Sequence, residues 1–336
     1  MSVLLVLSHE EDLSTSVKFV NGIKGNIVHT SSVLAVLFLF LRLSRRWHRV
    51  CAGFQRVERR LATEGFNAVS FGSYIRSMTA VFILATFVVE MAVDAVPSIA
   101  KMMENPRPFD GVGDFVEKFY YESFPQMKII PVYNIALVIW VFWTKAQAKL
   151  AITYTDLILW AIGAAAAAKF KSINKKIGEL KYEKMTEMDW RRVRESYNDV
   201  VVLISDLDRI LGPHVLLSYA IGLWFVCGGI LLLLDSEIDT LKRVYIFLSM
   251  SFWICRVIVA TLSLASVYEE NICIRNSLHL VPTDYYGDEV HRFAMQACHD
   301  DLGFTGMKFF TVTRSVLLTL AGTIASYEIV LMEFNR

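Results

Sequence analysis

Hydrophobic and polar positions fall along this chain in long blocks. Apolar runs cover 27–43, 77–99, 129–170, 215–234, 244–267 and 309–334, with charged or mixed stretches between them. A helix of about 20 residues, rising about 1.5 Å per residue, crosses the roughly 30 Å hydrocarbon core of a bilayer. The runs therefore predict membrane-crossing helices, and the chain an all-α membrane protein, a multi-span helical bundle. The run over 129–170 has about twice the length one crossing needs and is interrupted at Thr144, Lys145, Gln147 and Lys149. It is read as one span over 146–168, preceded by an apolar, aromatic extension on the outer side. Two full crossings is the alternative, although no turn residues separate the halves.

The polar blocks differ from one another. The stretch 101–128 carries Pro106, Pro108 and mixed charge, and reads as a loop. The basic stretch 169–209 repeats apolar residues at helical spacing (Trp190, Val193, Tyr197, Val200, Ile204), which predicts one or two amphipathic helices outside the bilayer. Gly212-Pro213 is expected to end them. In the final run, Ser315, Thr319, Gly322, Thr323, Ser326, Val330 and Glu333 fall close to one line of the helix, while the other faces are mostly Leu, Ile, Val and Met. Such a stripe either packs closely against another helix or lines water. The carboxylate of Glu333 tilts the reading toward water, because a charge at a membrane boundary is costly without a partner or solvent.

Composition sharpens the compartment. Hydrophobic residues make up 54% of the 336, and the formal net charge is +1. Mean hydropathy is +0.43. So balanced a charge gives no one-signed field for phosphates, which argues against a nucleic-acid partner. The five cysteines show no metal-ligand spacing, so neither metal nor cofactor is expected. Dense positive charge follows the first run (Arg42, Arg45, Arg46, Arg49, Arg56, Arg59, Arg60) and the third (Lys169, Lys171, Lys175, Lys176). The positive-inside rule makes both flanks cytoplasmic, which places 101–128 and the short acidic hairpin 235–239 outside. The last helix is then expected to run outward and the C-terminus to be extracellular, an arrangement that argues against a G-protein-coupled receptor.

Candidate ligand residues lie in the spans. Glu90 and Asp94 are one turn apart, and intramembrane carboxylates are functional candidates by default. A partner cation or surface water is the plainer account of Asp94. Tyr154 and Asp156 sit in the third span with Trp140 and Trp143 above, and Trp224 in the fourth. These could frame a cleft of aromatic plates and hydrogen-bonding groups; aromatics in spans also serve as core or lipid contacts. Arg256, deep in the fifth span, needs a partner, Asp156 or Glu90, in a structural ion pair or a ligand contact. No nucleophile–base pair or phosphate loop stands out, so an enzyme is not expected.

The closing stretch GMKFFTVTRSVLLTLAGTIASYEIVLMEF resembles the C-terminal signature of insect gustatory receptors: Thr-Tyr, five hydrophobic residues, Gln-Phe. Here Ser326-Tyr327, Glu328 to Met332, and Glu333-Phe334 occupy those places. The run from Ala321 to Ile324 followed by SYEIVL is similar to the sugar-receptor branch, as are RLSRRWHRVCAGFQRVE, YTDLILWAIG, LASVYEEN and VPTDYYGDEVHRF.

The resemblance implies a seven-span fold, with the first span missing or divergent here, and a ligand-gated, non-selective cation channel of the plasma membrane. The assembly would be a homo- or hetero-tetramer of related receptors in the lipid bilayer, opened by a small tastant, a sugar first. On that reading the chain divides into an N-terminal segment (1–25), transmembrane helices (26–168) with an extracellular loop (100–130), and a cytoplasmic helical linker (169–212). A transmembrane helix pair (213–267), a cytoplasmic anchor segment (268–308) and a pore-lining helix with extracellular C-terminus (309–336) complete it. The gate maps onto Ser326, Tyr327, Val330, Glu333 and Phe334. Phe334 is a dewetting constriction or an interfacial anchor, and four Glu333 carboxylates would form a cation-concentrating ring. The alternatives are a non-conducting co-receptor subunit and a carrier of small polar solutes.

Overall fold

The computed structural model describes residues 2–66, 77–86, 111–123, 134–179, 185–234, 240–300 and 302–334, with 88, 95, 96, 98, 99 and 102 between them; side chains before residue 27 are not described. Helices dominate it: α1 Ser2–Thr63, α2 Ser77–Thr86, α3 Val112–Ser123, α4 Ile135–Glu179, α5 Glu187–Leu234, α6 Thr240–His279, α7 Asp288–His299 and α8 Ser315–Phe334. Four of them, α1 from Ile27 onward, α4, α5 and α6, are long and apolar enough to cross a membrane. The 20 residues of α8 reach about 30 Å, one bilayer core.

Two kinds of surface follow from the block pattern. In the apolar runs, Leu34, Phe38, Leu41, Val81, Leu84, Phe247 and Leu318 stand exposed. That is where lipid replaces a protein core. At the other end of the bundle, the helical stripe of α5 is buried along its whole length: Trp190, Val193, Tyr197, Val200, Ile204, Leu207, Leu211. Phe170, Ile173 and Ile177 of α4, Ile274 and Leu278 of α6, and Val290, Phe293 and Ala297 of α7 close over it. This end is packed as a soluble domain is. Polar bonds pin it: Tyr197 donates to Asn271 (2.9 Å), Asn271 to the Asp300 carbonyl (3.1 Å), and Arg194 meets Glu289 (2.9 Å). Arg60 of α1 bridges Glu195 and Asp199 of α5.

The helices are longer than the apolar runs. α4 is a single helix of 45 residues, so Lys145, Gln147 and Lys149 interrupt the apolarity without interrupting the backbone. Its N-terminal end is covered by α3, where Tyr120 and Val138 are buried and Phe119 stacks on Phe142 at 5.7 Å. The stretch expected as a polar loop thus contains an amphipathic helix that serves the aromatic extension. Close packing of α4 on α6 depends on Gly163: a Cβ there would lie 2.9 Å from the backbone of Ser263.

Two expected boundaries differ. Gly212-Pro213 does not end a helix, because α5 runs straight through it. Proline removes one backbone bond, a loss that other contacts can make good in a membrane protein. Gly212 instead admits a neighbour: its absent Cβ would sit 3.2 Å from the Met307 nitrogen and 3.3 Å from the Thr305 carbonyl oxygen. That neighbour explains the second difference. Residues 309–314, expected in the last helix, belong to a tight turn in which Thr305 pairs with Thr311 and the Gly306 amide donates to the Phe310 carbonyl (3.0 Å). Met307 and Lys308 hold positive φ (52° and 65°) to reverse the chain. The turn is fastened to α5 by Asp208, which accepts from the Thr305 amide (2.6 Å) and hydroxyl (2.9 Å). Only after it does α8 begin.

Candidate functional site

α8 lies on α5 by one face. Val316, Leu320 and Ile324 pack against the main core. Ser315, Thr319, Gly322, Thr323, Ser326, Val330 and Glu333 are exposed, and the space a Gly322 Cβ would take is open. Among the described residues, the stripe beyond Ser315, whose hydroxyl bonds that of Thr313 (2.7 Å), stands exposed with no side-chain hydrogen bond to another helix. Its hydroxyls are satisfied along the helix: Thr319 donates to the Ser315 carbonyl (3.2 Å), Thr323 to that of Thr319 (2.9 Å) and Ser326 to that of Gly322 (2.8 Å). Such back-bonding leaves the hydroxyl oxygens as acceptors along an exposed line. Tyr327 is also exposed, and Phe334 is the last helical residue.

Between α8, α5 and α6 lies a cavity of about 470 Å³. Tyr219, Trp253, Met250, Leu320 and Ile324 are among its walls, and it is almost wholly apolar. A second cavity of about 380 Å³ lies between α1, α2 and α4, lined by Phe40, Ile83, Gln147, Thr153 and Tyr154. Phe40 bridges Tyr154 (ring centroids 5.5 Å apart) and His214 (5.6 Å).

Of the sequence-derived ligand residues, the structure puts Tyr154 on the α1–α2–α4 cavity and Asp156 in the protein interior. Trp140 and Trp224 are exposed and line neither cavity. Glu90 and Asp94 lie outside the described residues. Asp156 faces Arg256 with Nε and Oδ2 3.6 Å apart, both side chains 3% exposed. Ser218 donates to Asp156 (2.7 Å), Arg256 donates to Thr153 (2.6 Å), and the guanidinium lies over the Phe252 ring at 5.3 Å. A buried pair with these bonds is a strut joining α4, α5 and α6. Next to it, the Tyr219 hydroxyl bonds Thr261 (2.8 Å) and its ring packs on Phe310, in the turn before α8 (5.6 Å).

Sequence reasoning missed Ser218, Thr153, Thr261 and Asp208. Asp208 had a readable signal: it follows Ile204 and Leu207 on the apolar stripe of α5, where an acid must be satisfied from inside. The hydroxyls carried none, since Ser and Thr in spans usually bond their own helix.

Comparison with known proteins gives the family. The trehalose receptor family model matches residues 2–336. The gustatory receptor for sugar taste 64f of Drosophila melanogaster is 25% identical, over 94% of this chain and 66% of its own length. The gustatory receptor 5a for trehalose of the same fly is 26% identical, over 96% and 71%. The chain thus spans about two thirds of the length of these relatives. Among solved structures, the insect olfactory receptor OR5 from Machilis hrabei in complex with eugenol shares the fold, with a TM-score of 0.61 at 14% identity over 91% of this chain and 79% of that one.

Proposed function

Since the chain belongs to the trehalose receptor family, in the sugar branch of the insect gustatory receptors, we propose that it forms a ligand-gated cation channel of the plasma membrane opened by a sugar. One observation carries this reading: α8 turns its apolar face to the subunit and its hydroxyl-bearing face, with Glu333, away from it. In a tetramer those faces meet at a shared axis. The oxygens of Thr319, Thr323 and Ser326 then line the conduit, Ser326, Tyr327, Val330 and Phe334 form its gating segment, and the Glu333 ring concentrates cations at the outer mouth. The C-terminus lies outside. A non-conducting subunit that needs a related receptor would share this architecture and differ in current alone.

The tastant site we propose is the cavity between α1, α2 and α4, with Tyr154 as its aromatic plate. Glu90 and Asp94, which follow α2 in the chain, complete the proposed set. Thr153 binds Arg256, Arg256 faces Asp156, and Asp156 accepts from Ser218 beside Tyr219, so packed contacts lead from the cavity to the base of α8. A sugar that prefers one arrangement of these contacts shifts the open population by its difference in affinity.

The test is expression alone in a cell under voltage clamp with a sugar panel, trehalose first. We expect a sugar-evoked cation current, reduced by Glu333→Lys and shifted to higher sugar concentration by Tyr154→Ala. Unchanged permeation in Glu333→Lys would remove that carboxylate from the conduit. Saturable sugar uptake without current would mean a carrier.

A further inference from the structure

Beneath the first span, α1 and α5 part to leave a cleft of about 250 Å³. Four arginines line it: Arg46, Arg49 and Arg56 from α1, and Arg209 from α5. Val50, Val57, Leu203 and Leu207 make its buried floor, and Gly53 lets α1 approach α5, since a Cβ there would meet Leu203 at 2.9 Å.

These arginines differ from the others of this region. Arg60, Arg191 and Arg194 are all neutralised, by Glu195 and Asp199, by Glu195, and by Glu289. No ion pair or hydrogen bond among the described residues engages the side chains of Arg46, Arg49, Arg56 or Arg209. Of the two acids in the cleft wall, Asp199 is taken by Arg60 at 2.7 Å, which leaves Asp206 against four guanidinium groups. A concave site with that surplus is built for an anion with several charged oxygens.

Depth identifies the anion. The apolar runs end at Leu43 on α1 and begin at Val215 on α5. At about 1.5 Å per residue, Arg46 lies about 5 Å beyond that boundary, Arg49 and Arg209 about 9 Å, and Arg56 about 20 Å. The headgroup layer on each side of the hydrocarbon is roughly 5–8 Å thick. Arg46 lies within that layer and Arg49 and Arg209 at its edge, where long side chains reach a phosphodiester, whereas Arg56 can be met only by phosphate carried further out on the headgroup. We propose that this cleft binds the headgroup of a polyphosphoinositide of the inner leaflet, its phosphodiester at Arg46, Arg49 and Arg209 and its ring phosphomonoesters at Arg56. Basic pockets between helices on the cytoplasmic side suit such lipids. The inference rests on the topology, with this end of α1 cytoplasmic, and is independent of whether the protein conducts.

The experiment uses purified full-length protein in phosphatidylcholine nanodiscs, with binding of a fluorescent phosphatidylinositol 4,5-bisphosphate read by anisotropy. Phosphatidylserine and free inositol trisphosphate serve as competitors. Losing one guanidinium is expected to weaken binding about fivefold. The quadruple variant R46Q/R49Q/R56Q/R209Q should weaken it at least tenfold, while R45Q/R59Q, which removes charge from α1 away from the cleft, should leave it unchanged. R56Q alone should erase the preference over phosphatidylserine. An unchanged melting temperature keeps misfolding apart from lost binding. No binding, equal loss in R45Q/R59Q, equal competition by phosphatidylserine, or competition by free inositol trisphosphate as strong as by the lipid would each overturn the proposal. None of these readouts involves a sugar or a current, so either proposal can fail without the other.

Discussion

Replacing Arg256 with methionine isolates the strut at the centre of the bundle. The charged atoms of Arg256 and Asp156 are 3.6 Å apart, and both side chains are 3% exposed. With an effective dielectric of about 20, two unit charges at that separation attract by about 5 kcal/mol. Removing one partner of a buried pair costs about 3–5 kcal/mol, because the other remains uncompensated. Arg256→Met should therefore destabilise by about 4 kcal/mol, and the melting temperature should fall on the order of 10 °C. Asp156→Leu should cost a similar amount, since it also deprives Ser218 of its acceptor. The double variant leaves no stranded charge, and apolar replacements of similar volume are often neutral or better. It should recover most of the loss, with a coupling of at least about 2 kcal/mol between the two sites. Thermal unfolding of the detergent-solubilised protein, followed by size-exclusion fluorescence, reads all four forms. Additive losses, or singles that cost less than about 1 kcal/mol, would refute the strut.

Three further outcomes follow from the geometry. A Cβ at Gly222 would lie 1.8 Å from the Trp253 ring, so Gly222→Ala should lower the same melting temperature by overpacking, a cost of about 1–3 kcal/mol. Gly322 has open space where its side chain would go, so Gly322→Phe should fold and reach the cell surface normally yet abolish sugar-evoked current; full current would turn that face away from the conduit. Burial pushes the Glu289 carboxyl up, but the hydrogen bond and charge of Arg194, with the charge of Arg292, outweigh it and hold it below its usual range. A depressed folded value stabilises above the unfolded one, near 4.5, and that contribution fades as pH falls through the folded value. Glu289→Gln should therefore flatten the acid side of the stability–pH profile, and an unchanged slope would count against the Arg194 contact.

Much of the architecture was legible because membrane helices announce themselves by block hydropathy and the N-terminal half of α5 by period. Trp190, Val193, Tyr197, Val200 and Ile204 stand in the sequence as the buried stripe they form. Helix ends were less legible. Gly212-Pro213 looks like a terminator from sequence alone, and only the turn pressed against Gly212 gives that glycine its purpose. The run over 309–334 concealed that its first six residues belong to the turn reversing at Met307 and Lys308, since nothing in FFTVTR marks it when the stabilising acceptor, Asp208, is almost a hundred residues away. For the candidate site, the exposed polar line of α8 was visible as spacing. The partners of Asp156 were only half visible: a buried arginine demanded an acid, but nothing local nominated Ser218 or Thr153.

The fastening of the turn to α5 also sets the kind of travel open to the last helix. Its foot is tied through Asp208, Gly212 and the Phe310–Tyr219 contact, whereas from Ala325 outward its described side chains are exposed. Any displacement that keeps those ties is a swing about the foot rather than a slide or a screw. For a rod about 30 Å long, a swing of roughly 10° carries the tip sideways by about 5 Å while the lowest turn hardly stirs. The anchorage at one end converts a small rearrangement near Tyr219 into a large displacement of Glu333.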